Sequence, residues 1–361
     1  MDWFCTRGSL RASAYDSNRA HRSARRDRRG GEALESDAPM RDSELPFRPL
    51  RPWLFARYGR AVHRVALDAG STCPNRDGTK GFGGCTYCDV EGSGTGALRS
   101  GEEIGAQLEL GIARIERRDE APGVIAYLQS YSNTYVAIDR LREVLGVIER
   151  KLGHTSAPIV AVSIATRPDT LPESALDVLC ELATKTDVWV ELGLESADDR
   201  VLERIRRFHT LADFEDAAHR VHARGLLCVG HAILGLPGDG REGARRTADA
   251  LARTRVDGIK VHNLMVLRRT QMEKAWRAGE IEVLDVETYV QWLADFVERL
   301  DADQIVHRAS ADARPDEELA PRWKLHANEI RERLARELVA RGTRQGSHAA
   351  SARSQSSRAG L

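Results

Sequence analysis

Short runs of Val, Ile and Leu alternate along this chain with longer segments whose apolar residues recur every three or four positions. The short runs predict strands at Val62–Ala69, Gly123–Leu128, Ile159–Ile164, Val188–Leu194, Leu226–Leu234 and Gly258–Leu264, with Gln304–Arg308 as a further candidate. The longer segments predict helices at Glu102–Arg117, Ile138–Leu152, Pro172–Thr184, Leu211–Arg224, Glu242–Thr254 and Thr288–Leu300. In the first of these, Ile104, Leu108, Ile112 and Ile115 are spaced by 4, 4 and 3, which places them on one helical face. Pro172 suits a helix start, where its missing N–H costs nothing. Repeated β-then-α order implies a parallel sheet with right-handed crossovers. Six or seven such units predict an α/β fold, a partial (β/α)6 TIM-like barrel, in preference to a short doubly wound sheet. Residues 46–310 then form the core barrel. Residues 311–343, with a helix around Trp323–Ala340, form a C-terminal helical extension.

Composition changes this picture only at the ends. Arg19–Arg29 holds six arginines and no large apolar residue, so residues 1–45 cannot bury enough surface to offset ordering entropy. They read as a disordered extension or a mis-set start, with a basic nucleic-acid-binding arm as the functional alternative. A chain beginning at Met40 is expected to keep all activity. Residues 344–361 are rich in Ser, Ala and Arg and read as a disordered tail. Lysine plus arginine and aspartate plus glutamate both number 54, so the whole chain gives no support to polyanion binding. No apolar run is long enough to span a membrane and no secretory signal is visible, which predicts a cytoplasmic protein.

Six cysteines are present, and three lie close together: Cys73, Cys85 and Cys88, spaced C-x11-C-x2-C in a glycine-rich loop after the first strand. Clustered thiols in a cytosolic chain point to metal or redox chemistry, not to disulfides. Three thiolates are one short of a closed site, which leaves an open coordination position. From the loop alone an iron–sulfur cluster leads. Zinc, with His63 or His154 as a fourth ligand, and plain buried thiols remain as alternatives.

CPNRDGTKGFGGCTYC at Cys73–Cys88 resembles the cluster loop of the radical S-adenosylmethionine (SAM) superfamily, and most closely its YhcC-like bacterial subfamily, related to the Elongator catalytic subunit and the tRNA methylthiotransferases. Further motifs of the resemblance follow in order: YLQSYSNTY, ATRPDTLP, VWVELGLESA, HAILGLPGD, DGIKVHNLMVL and HRASADARP. The resemblance implies one 4Fe-4S cluster on the three cysteines and SAM on the fourth iron. An electron from a flavodoxin- or ferredoxin-type donor would cleave SAM to a 5′-deoxyadenosyl radical that abstracts hydrogen from a substrate, RNA, protein or metabolite. It places Tyr87 near the adenine, Gln129 and Ser130 at the methionine amino group, Glu195 at the ribose or carboxylate, and Gly235, Leu236 and Pro237 along the adenine. Arg167 would grip the cofactor carboxylate, or pair with Asp169 or Glu195 as scaffold. Structural alternatives stand beside the others: packing for Tyr87, a helix start for Glu195, a strand-ending turn for Gly235–Pro237. The competing class is a non-catalytic zinc or iron–sulfur scaffold.

Glu191, His231, Lys260 and His262 are polar residues on strands predicted to face the barrel interior, where ionisable groups are costly unless paired or used. Each is a candidate acid or base, with Tyr131, His307 and Arg308 behind them. Cys180 and Cys228 read as core packing, and the lack of a second cysteine cluster argues against two-cluster methylthiotransferase chemistry. The chain departs from the subfamily pattern, which has Gln where Glu195 stands, Asn and Gly around Arg206 and Phe208, Lys-Gly near Arg268–Arg269, and a histidine at Met265.

Overall fold

The computed structural model describes residues 40–42, 44–88, 103–314 and 316–349. The arginine-rich stretch and the last twelve residues lie outside them. Nine strands are described: β1 Val62–Leu67, β2 Gly123–Leu128, β3 Ile159–Thr166, β4 Asp187–Glu195, β5 Leu227–Leu234, β6 Gly258–Asn263, β7 Val266–Leu267, β8 Ile305–Arg308 and β9 Glu318–Ala320. The described helices are α1 Leu50–Tyr58, α2 Ile104–Glu116, α3 Ile138–Glu149, α4 Glu173–Ala183, α5 Asp199–Arg204, α6 Leu211–Ala223, α7 Gly240–Arg253, α8 Gln271–Arg277, α9 Val286–Arg299 and α10 Ala327–Ala340.

Strands β1 to β6 and then β8 form one seven-stranded sheet in chain order, and every neighbouring pair is parallel. This is the predicted partial barrel, with β8 as a seventh strand after six β/α units. The edge strands also approach one another: Arg64 on β1 lies 3.4 Å from His307 on β8. Helices α2, α3, α4, α6, α7 and α9 turn apolar faces onto the outside of the sheet, as with Leu141, Val144, Leu145 and Ile148 of α3. A second core closes the N-terminal end of the strands. There Trp53, Leu50, Leu54 and Tyr58 of α1 pack on Ile125, Ala161, Trp189, Val229 and Ile305 from five strands. The strand C-termini at the opposite end are left for loops, the usual place for chemistry in such folds.

The sequence reading missed α1, α5, α8 and the small β7–β9 pair. Helix α5 has six residues and α8 seven, too short for a period to be legible. Helix α1 carries Arg51, Arg57 and an exposed Phe55 amid its buried positions, which blurs its apolar face. Pro172 precedes the first turn of α4 as its cap. Two ends also extend beyond their expected bounds. Met40 and Leu45 pack on the main core, and Asp42 pairs with Arg331 at 2.5 Å, within the stretch expected to be disordered. At the other end, the buried Gln345 side chain donates to the carbonyls of Asp301 and Gln304 at 2.7 Å each, and His348 N–H donates to Glu298 O. Residues 344–349 are therefore docked, held by side-chain-to-backbone bonds that leave no hydrophobic signature in the sequence.

Candidate functional site

The three clustered cysteines open onto one cavity of about 270 Å³ at the C-terminal ends of the strands. Strands β1 to β6 all contribute to its wall, and β8 adds Arg308. Cys73 and Cys85 are buried and Cys88 is partly so. Each of the last two meets nitrogen donors: Arg76 Nη2 lies 3.2 Å from Cys88 Sγ, Asn75 Nδ2 3.4 Å from Cys85 Sγ, and Arg207 Nη1 3.9 Å from it.

The cysteine loop is held by the segment after α5. Asn75 Nδ2 donates to Arg206 O at 2.7 Å, Arg167 Nη2 donates to Arg207 O at 2.7 Å, and Lys80 Nζ donates to Phe208 O at 3.1 Å. The backbone turns sharply through these acceptors: Arg206 and Phe208 both have positive φ, 58° and 54°. That conformation favours glycine and asparagine. The departures noted at these positions therefore place large side chains where the backbone is left-handed, and Arg269, at φ 63°, is a third case.

Among the sequence-selected residues, Tyr87, Gln129, Arg167, Glu195, Glu191, His231, Lys260 and His262 line this cavity together with the cysteines. Ser130 does not. It is fully buried, its carbonyl accepts from Ser71 Oγ and Asn133 Nδ2, and its hydroxyl has no partner. Gly235, Leu236 and Pro237 do not line the cavity either. Gly235 packs toward Leu284 and Leu264, and Leu236 belongs to a satellite core with Val201, Met272 and Tyr87.

Arg167 is 2% exposed and its guanidinium is largely committed: Nε and Nη2 donate to the two oxygens of Asp169 at 2.9 and 2.8 Å, leaving Nη1 without a partner. Burial works to raise the Asp169 pKa, but Arg167 and Lys80 outweigh it and hold the carboxyl at about 2. Glu195 sits at φ 70° and pairs with Arg207 at 3.2 Å. Gly193 makes room for that pair, because a Cβ there would stand 2.3 Å from Arg207 Nη2 and 2.5 Å from Glu195 Oε1.

Deeper in the barrel, Glu191 is fully buried and accepts from Ser163 Oγ at 2.7 Å, from His231 Nε2 at 2.9 Å and from Lys260 Nζ. Lys260 also donates to Tyr127 OH at 3.1 Å. Burial works to raise Glu191, but Lys260 and His231 prevail and keep it well below the usual carboxylate range. Lys260 is brought down to about 7 by burial against the pull of Glu191. The His231 and His262 rings stack at 5.7 Å.

Several lining residues escaped the sequence reading: Arg64, Arg76, Tyr127 and Arg207. Arg64 and Tyr127 had a signal, since period-2 alternation places Arg64 with Ala66 and Tyr127 with Gln129 on one face. Arg76 and Arg207 had none, because loop contacts to sulfur leave no periodic trace. Neither histidine weighed as a fourth zinc ligand lines the cavity with the cysteines. His63 pairs with Asp119 at 2.7 Å near the start of β1, four residues and about 13 Å before the strand's other end. His154 is exposed beyond α3.

Comparison with known proteins agrees with this geometry. The model of the radical SAM superfamily matches residues 73–251, and that of the radical SAM C-terminal domain matches residues 256–340. The second match begins inside the barrel, at β6. YtqA of Bacillus subtilis is 35% identical over 308 residues, which are 85% of this chain and 94% of that protein. YhcC of Escherichia coli is 37% identical over 271 residues, 75% of this chain and 85% of its own. The solved structure of archaeal Methanocaldococcus infernus Elp3 shares the fold, with a TM-score of 0.62 at 16% identity over 79% of this chain and 64% of that one. By matched models and by close relatives along most of its length, this chain belongs to the radical SAM superfamily of enzymes, whose cofactors are a 4Fe-4S cluster and SAM.

Proposed function

We propose that Cys73, Cys85 and Cys88 hold the 4Fe-4S cluster, and that the cavity beside them takes SAM and the reacting end of a substrate. The observation that carries this is the meeting of the three cysteines at one cavity, with cationic and N–H donors beside the sulfurs of Cys85 and Cys88. A cluster with thiolate ligands is anionic, and Arg76, Asn75 and Arg207 offer it charge and hydrogen bonds, the contacts that tune such a centre. Cofactor contacts narrow to Tyr87, Gln129, Arg167 and Glu195, the predicted residues that face the cavity. The orphaned Arg167 Nη1 suits a carboxylate there. When bound, the cluster supplies the electron that cleaves SAM to a carbon radical able to abstract hydrogen. The chain's own part is to position, charge-balance and enclose.

The electron donor is a flavodoxin- or ferredoxin-type protein, and the compartment is the reducing cytoplasm, consistent with the free thiols among the described residues. No helix among these residues is long and apolar enough to cross a membrane. Segments of this chain also align with tRNA uridine(34) acetyltransferases, 28% identical over 139 residues to that of Dehalococcoides mccartyi, which keeps RNA among the substrate classes to be tested. Anaerobically reconstituted protein given dithionite and SAM is expected to release 5′-deoxyadenosine and methionine. A colourless protein that carries zinc and leaves SAM intact would overturn the proposal.

A further inference from the structure

The floor of the cavity carries a charge imbalance that the cluster and SAM do not explain. Cations near the cysteines are matched: Arg76 by Cys88, Arg167 by Asp169, and Arg207 by Glu195 and Cys85. One layer down, Glu191 serves Lys260 and His231. Arg64 and Arg308 line the same cavity and neither forms an ion pair among the described residues. Arg64 Nη2 meets only His307 Nδ1, at 3.4 Å, and its Nε is buried without a partner. His262, also in the lining, has a buried Nε2 with no partner. The strands bring these groups together, because Lys260 pairs in register with Arg308, with His262 two residues on from Lys260.

Buried donors without acceptors are costly and natural proteins seldom leave them so. Two guanidinium groups and an imidazole around one space form a donor set for an oxyanion, because the arginine fork matches the paired oxygens of a carboxylate or phosphate. We propose that Arg64, Arg308 and His262 form a substrate subsite for an anionic group, a carboxylate or a phosphate, on the floor of the barrel beneath the cofactor. This rests on the radical SAM reading of the cavity. It adds that the substrate enters acidic end first, held by the two arginines while its neutral part faces upward. An uncharged group there would leave the buried Arg64 Nε and His262 Nε2 unmatched, and the solvent-facing Arg308 unused. The cavity is small, so only the tip of a substrate reaches the floor. Burial and the neighbouring Arg308 hold His262 neutral, which leaves one ring nitrogen able to donate.

The test is calorimetric titration of the cluster-loaded protein before SAM is added, using succinate and inorganic phosphate separately at constant ionic strength in chloride. The two ligands distinguish a carboxylate from a phosphate. At least one is expected to bind, and Arg64→Met and Arg308→Met are each expected to weaken it about tenfold or more, the value of a charge-assisted bond. Reductive SAM cleavage without substrate, measured in parallel, is expected to persist in both variants. Arg308 is exposed, so its variant folds even if Arg64→Met does not. Absence of binding by both anions, or binding unchanged in Arg308→Met, overturns the subsite. Loss of SAM cleavage in the wild type would instead overturn the reading beneath it.

Discussion

Replacing Asp169 by asparagine tests whether the carboxylate locks the cavity wall or merely decorates it. Asp169 joins two parts of the structure: it accepts from Nε and Nη2 of the buried Arg167 on its own segment and from the ammonium of Lys80, 2.6 Å away on the cysteine loop. Its pKa is held at about 2. An ordinary aspartate titrates near 3.9, so the difference of about 2 units corresponds to roughly 2.5 kcal/mol of stabilisation. Asparagine also leaves a 2%-exposed guanidinium without its counter-charge. Breaking buried pairs from one side costs about 3–5 kcal/mol. The two figures bracket an expected loss of about 3 kcal/mol for Asp169→Asn at pH 7. Because the folded pKa is depressed, the stabilisation is complete above the unfolded value near 4 and fades as pH falls through 2. Urea denaturation of both proteins at pH 7, 5, 4 and 3 measures this. The gap between them is expected to hold down to pH 5 and to narrow below 4. Lys80→Met removes the more exposed partner and is expected to cost under about 1 kcal/mol. A loss below about 1 kcal/mol for Asp169→Asn, or a gap that ignores pH, would refute the reasoning.

Three further outcomes are expected. Gly193→Ala drives a methyl into Arg207 and Glu195, so SAM affinity measured by equilibrium dialysis is expected to fall about tenfold or more while iron content stays near that of the wild type. Arg269→Gly relieves a left-handed residue whose side chain is 66% exposed, and is expected to raise stability by about 0.5 kcal/mol in chemical denaturation, the steric gain less the glycine entropy. Cys88→Ala is expected to lower bound iron and sulfide to a minor fraction and to abolish 5′-deoxyadenosine release, while far-ultraviolet circular dichroism keeps its shape, because a partly buried loop thiol carries little of the core.

Most of the sheet was legible because its strands are buried on both faces and read as continuous apolar runs, such as Val124 to Leu128. That the three cysteines share one cavity was legible because all three fall within one sixteen-residue, glycine-rich loop. What surrounds it was not. Arg207 owes its place to the left-handed turns at Arg206 and Phe208, and nothing in the local composition announces those turns. Gly235–Pro237 shows the reverse: its letters match a cofactor-binding motif, yet its neighbours here are Leu284 and Leu264. A motif fixes residue types, whereas the direction a short turn faces depends on which distant side chain fills the space behind it.

The stopper that α1 makes with Trp53, Trp189 and their neighbours carries a kinetic consequence. Among the described residues α1 covers the N-terminal end of the strands, so the cavity opens at their loop-bearing end. Whatever lies lower must go in earlier and come out later. The deeper ligand is thus expected to associate first in an ordered sequence. On the proposed reading, spent nucleoside is expected to leave before the transformed molecule, so excess SAM is expected to trap product and slow turnover at high concentration.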